Sequence, residues 1–285
     1  MRSSTVSPLN DDIVGQIMAF CPTFNTLLAT ILVSKAFHRV FQTHPKSIIR
    51  AVSYNVVGPA LPQALRVIRY PYHDYCTPKD DPSAMAGACP EDWQNLPVIC
   101  ADEISMLEEN ARVVGELENI YSLMAKDRMS KTSVLTAEES WRFRRAMYRI
   151  MLYCAIFSSF YYDFAERAGE LEAIQNQRTA VLAEYPTDEL RQVSSAVEFL
   201  SQIHDGSIWR GVDLDTFLSA CPSGALRVWE ARSADVLLDI VAGDSPHVDR
   251  RVFQDSTEEH LECARGDATR ISIIVKMDFR HGQWS

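Results

Sequence analysis

Four residues come nearest to forming a metal site: His73, Cys76, Cys89 and Cys100. His73 and Cys76 have a His-x-x-Cys spacing that two zinc ligands can use. The later spacings make no paired Cys-x-x-Cys knuckle, so these read as sulfur and polar residues of a loop, and no metal is expected. Cys263 follows His260 by three residues on one helical face. A thiol nucleophile needs its base beside it in space, and coincidence of spacing does not supply that. The chain has no Gly-x-Ser-x-Gly elbow, no Gly-x-x-x-x-Gly-Lys phosphate loop and no His-Glu-x-x-His. The carboxylate pairs Glu108-Glu109 and Glu138-Glu139 read as solvated helix faces or partners of a helix dipole. Trp209, Trp229 and Trp284 could anchor a binding site, but core positions suit them better. The expectation is a chain with no catalytic residues and no cofactor.

Composition narrows the class of partner. The protein has 285 residues, 47% of them hydrophobic, which is enough to bury a core in one or two domains without staples. Its formal net charge of −10 argues against nucleic acid and against anionic membranes, both of which need clustered Lys and Arg. No run approaches the ~18–20 apolar residues of a membrane span. The acids in Leu9-Asn10-Asp11-Asp12 do not suit a secretory leader. The 7 cysteines, at 21, 76, 89, 100, 154, 221 and 263, are odd in number and scattered. They read as free thiols in a reducing compartment, cytoplasmic or nuclear.

The elements that must position any site are helices. Asn10 or Asp11 caps a first helix in which Ile13, Ile17 and Phe20 recur at helical spacing, and Pro22 stops it. A second run, Leu27 to Phe41, is apolar on most of its circumference. That is more than a lone surface helix needs, so part of this surface must meet the rest of the chain or a partner. Residues 46–70 read as helical with a break at Gly58-Pro59. Residues 71–98, with prolines at 71, 78, 82, 90 and 97, read as a long connection.

Beyond it lies a strongly helical stretch. Asp102 to Met129 carries Ile104, Leu107, Ala111, Val114, Leu117, Tyr121 and Met124 as an apolar stripe. Thr136 and Glu139 have capping-box spacing for a helix to about Phe164. Phe143, Met147, Ile150, Cys154 and Phe157 mark its buried face. Arg142, Arg144, Arg145 and Arg149 form a basic flank expected to answer the preceding acidic helix. Residues 187–204 form another helix through Val193, Val197 and Leu200. Asp213 to Ala220 is a short helix ended by Pro222, and Gly224 to Ile240 resumes it. A turn at Gly243 to Pro246, a helix over 255–265 and a short strand at Ile271 to Val275 complete the expectation. The fold class expected is all-α, with at most that one C-terminal strand.

The opening residues Leu9-Asn10-Asp11-Asp12-Ile13 to Cys21-Pro22 resemble the start of an F-box. Leu27-Leu28 and Leu32-Val33-Ser34-Lys35-Ala36-Phe37-His38 are similar to its second half. The resemblance covers about Pro8 to Phe41. Asn10 stands where the family has proline, Cys21 replaces a leucine and Phe37 a tryptophan. These are mild changes, of a kind that weakens partner binding before it threatens the fold. Leu135 to Phe157, Ile48 to Val52 and Gly58 to Leu65 are similar to segments of fungal F-box proteins, which extends the likeness along the chain.

This resemblance implies a three-helix F-box at 1–50, a helical segment and proline-rich connection at 51–98, and a helical body at 99–285 that binds a substrate or partner. It implies an adaptor that joins an unknown protein substrate to a Skp1-like linker, and through it to a cullin, in a ubiquitin ligase. The residues implied for the linker are Pro8, Leu9, Ile13, Ile17, Leu28, Leu32, Val33 and Phe37. The alternative is a Skp1-binding or free helical scaffold with no ligase role.

Overall fold

Helix α1 (Asp11–Ala19) starts at Asn10, whose side-chain oxygen accepts from the Asp12 N–H at 3.3 Å. Asp11 and Asp12 then sit in the first turn, where the helix dipole favours negative charge. Thr23 caps α2 (Phe24–Val33) by accepting from the Thr26 N–H at 3.1 Å. The run expected as one segment from Leu27 to Phe41 is two helices. Ser34 adopts an extended backbone, ends α2, and caps α3 (Lys35–Thr43) by accepting from the Phe37 N–H at 3.4 Å. Its hydroxyl offers the backbone an alternative to continuing the helix.

Pro45 opens α4 (Pro45–Val57) at a position where no N–H is missed. Gly58 ends it, with a φ of +82° and a ψ of −157° that side chains with a Cβ rarely adopt. One 3-10 turn (Gly58–Ala60) leads into α5 (Leu61–Arg69), as the Gly58-Pro59 break predicts.

The computed structural model describes residues 10–70, 91, 98–124, 135–156, 176, 179–205 and 221–231. Four longer helices follow α5 among these residues: α6 (Ala101–Met124), α7 (Ala137–Ile156), α8 (Thr187–Asp205) and α9 (Cys221–Ala231). Every regular element described is helical, so the fold is all-α. The strand expected at 271–275, the helices at 213–220 and 255–265, and the turn at 243–246 lie outside the described residues.

Thr136 and Glu139 form the expected capping box of α7. The Thr136 N–H donates to Glu139 at 2.7 Å, and the Glu139 N–H donates to the Thr136 hydroxyl oxygen at 3.2 Å. The Thr136 hydroxyl first, donating to the Glu139 carboxylate at 2.7 Å, and the Thr136 N–H second hold that carboxyl below its ordinary range. The helix expected to end at Pro222 lies outside the described residues, and Pro222 itself belongs to α9. It lies in the first turn of α9, where a proline removes no intrahelical hydrogen bond.

Packing places α7 at the centre of the body, against α5, α6, α8, α9 and the 3-10 turn. Met147, Tyr148, Ile150, Met151, Leu152 and Cys154 are buried around most of its circumference. The neighbouring α5 is buried from Leu61 to Ile68. Phe143 stacks on Tyr121 at 4.7 Å between centroids and meets the edge of Phe199 at 5.7 Å, joining α7 to α6 and α8. The α6 stripe holds through Ile104, Leu107, Val114 and Leu117, and Val113 and Ile120 are buried too. Met124, expected on that stripe, is exposed.

The first three helices pack on α4, and α4 packs in turn on α6. Val14, Met18, Leu27, Ile31, Val40 and Phe41 belong to one continuous hydrophobic cluster with the body. Residue 50, where an F-box boundary is expected, falls inside α4.

Gly58→Ala tests the α4–α5 corner. The added Cβ meets Arg144 only at ordinary contact distance, 3.8 Å, so the cost is one of backbone conformation. The expected loss is about 1–3 kcal/mol in urea unfolding.

Candidate partner-docking surface

Two apolar stripes run along α1, one residue apart. Val14, Met18 and Cys21 face the core and are buried. Ile13, Ile17 and Phe20 have the same spacing but are 46%, 43% and 80% exposed. Helix α2 divides in the same way. Phe24, Leu27 and Ile31 are buried, while Leu32 and Val33 are 70% and 73% exposed. Leu28 is half-buried, and Phe37 on α3 is half-buried against the core.

Of the residues implied for a linker, Ile13, Ile17, Leu32 and Val33 are therefore on the surface, with Leu28 and Phe37 at its margin. Pro8 and Leu9 lie outside the described residues. Phe20 was legible as a member of the Ile13–Ile17 period, yet its exposure is a property of the fold.

The backbone under this face is held from three sides. Arg39 on α3 pairs with Asp11 on α1 at 2.7 Å. The Asn55 amide of α4 donates to the carbonyls of Ala19 and Cys21 at 2.7 and 3.0 Å. Glu108 of α6 accepts from the Phe24 N–H at 3.1 Å, which satisfies an orphan donor at the start of α2. What such a surface can do chemically is exclude water with a partner. Fully burying a Leu, Ile or Phe contributes roughly 1.5–3 kcal/mol before association costs.

A second place where function could reside is a buried cluster of charge. Arg149 of α7 donates to Glu91 at 2.7 Å and pairs with Glu189 of α8 at 2.8 Å. Arg145 reaches Glu189 and Gln192, both at 2.7 Å, and lies 4.4 Å from the centre of the Trp141 ring. Arg66 of α5 donates to Glu184 at 2.7 Å and to the Tyr185 hydroxyl at 3.4 Å. Gln63 donates to Glu91 at 2.7 Å.

The flank expected to answer the acidic helix α6 is thus divided. Arg144 does pair with Glu118 of α6, and Arg142 pairs with Glu138 of its own helix. Arg145 and Arg149 turn inward, because Glu91 and Glu189 approach from segments remote in sequence. Burial draws the Arg66 and Arg149 pKa values down most strongly of any single cause, but hydrogen bonds donated to Glu184 and Glu91 respectively, together with the charges of the surrounding carboxylates, outweigh it and hold both above their ordinary value. Burial dominates at Arg145 and lowers it. Each guanidinium in the cluster is engaged by carboxylates of the chain itself. The arrangement joins helices.

The remaining candidates find structural tasks or fall outside the description. Glu109 pairs with Arg112 at 2.8 Å. Cys21 and Cys154 are buried, and Cys100 is exposed. His73, Cys76, Cys89, His260 and Cys263 lie outside the described residues, as do Trp209 and Trp284. Trp229 packs half-buried on the core. Among the described residues no group of three or more His, Cys, Asp and Glu can hold a metal ion. No described helix is long and apolar enough to cross a membrane.

The charge cluster yields two predictions. Glu91→Ala removes a carboxylate shared by Arg149 and Arg66, and should destabilise the fold by about 3 kcal/mol in urea unfolding. The second concerns alkali. Burial first, and the Glu91 charge second, push the Tyr185 hydroxyl from near 10 up to about 12. The folded chain therefore keeps this proton after the unfolded chain has lost it. Stability from this group should fall as pH rises from about 10 to about 12, and Tyr185→Phe should flatten that part of the stability–pH curve.

No protein-family model, curated protein or solved structure matches this chain, so its functional reading rests on its own residues.

Proposed function

We propose that the chain is the substrate-recruiting adaptor of a Skp1–cullin–F-box ubiquitin ligase, working in the cytosol or nucleus. The face formed by Ile13, Ile17, Leu32 and Val33, with Leu28 and Phe37 at its margin, takes the Skp1-like linker. The helical body carries the protein substrate. No bond is made or broken by this chain; its role is to bring the substrate to the ligase.

One observation carries the reading. In α1 and α2 the apolar side chains separate into a stripe that closes the core and a stripe left in water. A helical subdomain that needed its apolar residues only for its own core would not display the second stripe. Exposed apolar side chains grouped on neighbouring helices fit an interaction site. The F-box resemblance of residues 8–41 supplies the identity of the partner.

The test is copurification with a Skp1-like linker. Ile17→Asp and Leu32→Asp place a charge on the exposed stripe and should abolish linker binding. Because both positions are exposed, unfolding free energies should stay within about 0.5 kcal/mol of wild type. Recovery of a cullin with the linker, and accumulation of a client on depletion, would distinguish a ligase adaptor from a scaffold. A wild-type chain that binds no linker would sink the proposal.

A further inference from the structure

Acidic residues are absent from Ile13 to His73, in a chain that carries 38 of them. Even spacing would place about eight in a stretch of that length. The same stretch carries Lys35, Arg39, Lys46, Arg50, Arg66 and Arg69. Charge is thus segregated: these helices are basic, while the chain as a whole carries −10.

The fold uses two of the six. Arg66 and Arg69 on α5 are largely buried and pair with Glu184 and Glu103. The others are exposed. Lys35 and Arg39 lie one turn apart on α3, whose inward side holds Val40 and Phe41. Lys46 and Arg50 lie one turn apart on α4, whose inward side holds Ile48, Ile49 and Val52. The two helices are consecutive, meet at His44 and pack on each other. Arg39 pairs with Asp11 at the start of α1. Among the described residues no carboxylate lies within ion-pair distance of Lys35 or Lys46.

Folding does not require this arrangement. Neighbouring like charges repel, and interleaved acids would relieve the repulsion. Lys35, Arg39 and Lys46 make no ion pair with the acidic body. A basic surface kept clear of acids attracts a negatively charged partner and steers its approach. The extent of the surface decides the class of partner. Tight binding of duplex nucleic acid takes about six to ten phosphate contacts, more than these cations supply. An anionic membrane gains only about 1 kcal/mol per cation and meets the net negative charge of the whole chain. A protein segment can match two helices alone, because charges more than about 8 Å beyond it are screened.

We propose that the outward sides of α3 and α4 form a docking surface for an acidic segment of a partner protein. That segment presents Asp and Glu side chains to Lys35, Arg39, Lys46 and Arg50. The proposal does not rest on the linker reading, which concerns the apolar stripe of α1 and α2.

The experiment titrates the full chain with a fluorescent Glu-rich peptide, and separately with duplex DNA and with phosphatidylserine vesicles. It compares wild type with Lys35→Glu/Lys46→Glu. The control is Arg112→Glu/Arg142→Glu, which makes the same change in net charge at exposed positions of α6 and α7. The first variant should bind the peptide roughly tenfold more weakly at low salt, and the control should lose less than about twofold. Added salt should weaken wild-type binding and shrink the difference between the variants. Should the reversal unfold the chain, Lys35→Gln/Lys46→Gln should still show a loss of about threefold.

Wild type that does not bind the peptide overturns the proposal. Equal losses in variant and control overturn it too, because net charge alone would then explain them. DNA or vesicles bound more tightly than the peptide, and released by the same lysine substitutions, would overturn the choice of a protein partner.

Discussion

Three arginines inside a helical protein set the terms on which this fold closes. Arg66, Arg145 and Arg149 keep only small fractions of their side chains in water. A buried guanidinium without a carboxylate costs several kcal/mol, so the chain must bring carboxylates to them. It does so from positions 91, 184 and 189, far along the sequence from 66 and, for Glu91, from 149. Meeting that demand draws α5, α7, α8 and residue 91 to one place. Around the cluster, α5 is buried from Leu61 to Ile68 and α7 is buried over most of its length from Phe143 onward. The pairs contribute modestly to net stability, since desolvation offsets attraction. Their geometry, however, allows few alternative arrangements.

That constraint reaches the exposed apolar face of α1 and α2 through α4. Arg144 of α7 pairs with Glu118 and donates to the Val57 carbonyl at 3.3 Å, at the corner where Gly58 turns the chain. Upstream of the corner, α4 supplies Ile48, Ile49 and Val52 to the core beneath α1, α2 and α3. Asn55 on the same helix holds the α1–α2 turn, and Glu108 of α6 holds the first turn of α2. The N-terminal helices are thus fastened to the body by packing and by directed hydrogen bonds. In the adaptor reading, this connection fixes where a bound client stands relative to the ligase.

Local signals were legible wherever a side chain acts on its own backbone. Asn10, the Thr136–Glu139 capping box and the Gly58-Pro59 break all act within four residues, and each works as its spacing predicts. Ser34 acts equally locally but sits inside an apolar run whose continuous periodicity conceals it. Pro222 lies in the first turn of α9, where a proline is harmless, although the same residue breaks a helix interior. Arg145 and Arg149 look like surface charge because nothing within a few residues of them announces Glu91 or Glu189. Their burial depends on partners forty or more positions away.

The amino-acid sequence by itself determined the helices, most of their ends and the all-α class, because capping and periodicity are short-range. It also determined that the first helices carry more apolar surface than one core needs. Only the tertiary structure decided how that surface is divided. Val14 and Ile13 are adjacent and similar, as are Ile31 and Leu32, and no property of the residues says which will be buried. Packing of α1 to α3 on α4 covers Val14, Met18, Leu27 and Ile31, and leaves Ile13, Ile17, Phe20, Leu32 and Val33 outside. The reason is geometric: a helix can press only part of its circumference against its neighbours, and the approach of those neighbours is set by the whole chain.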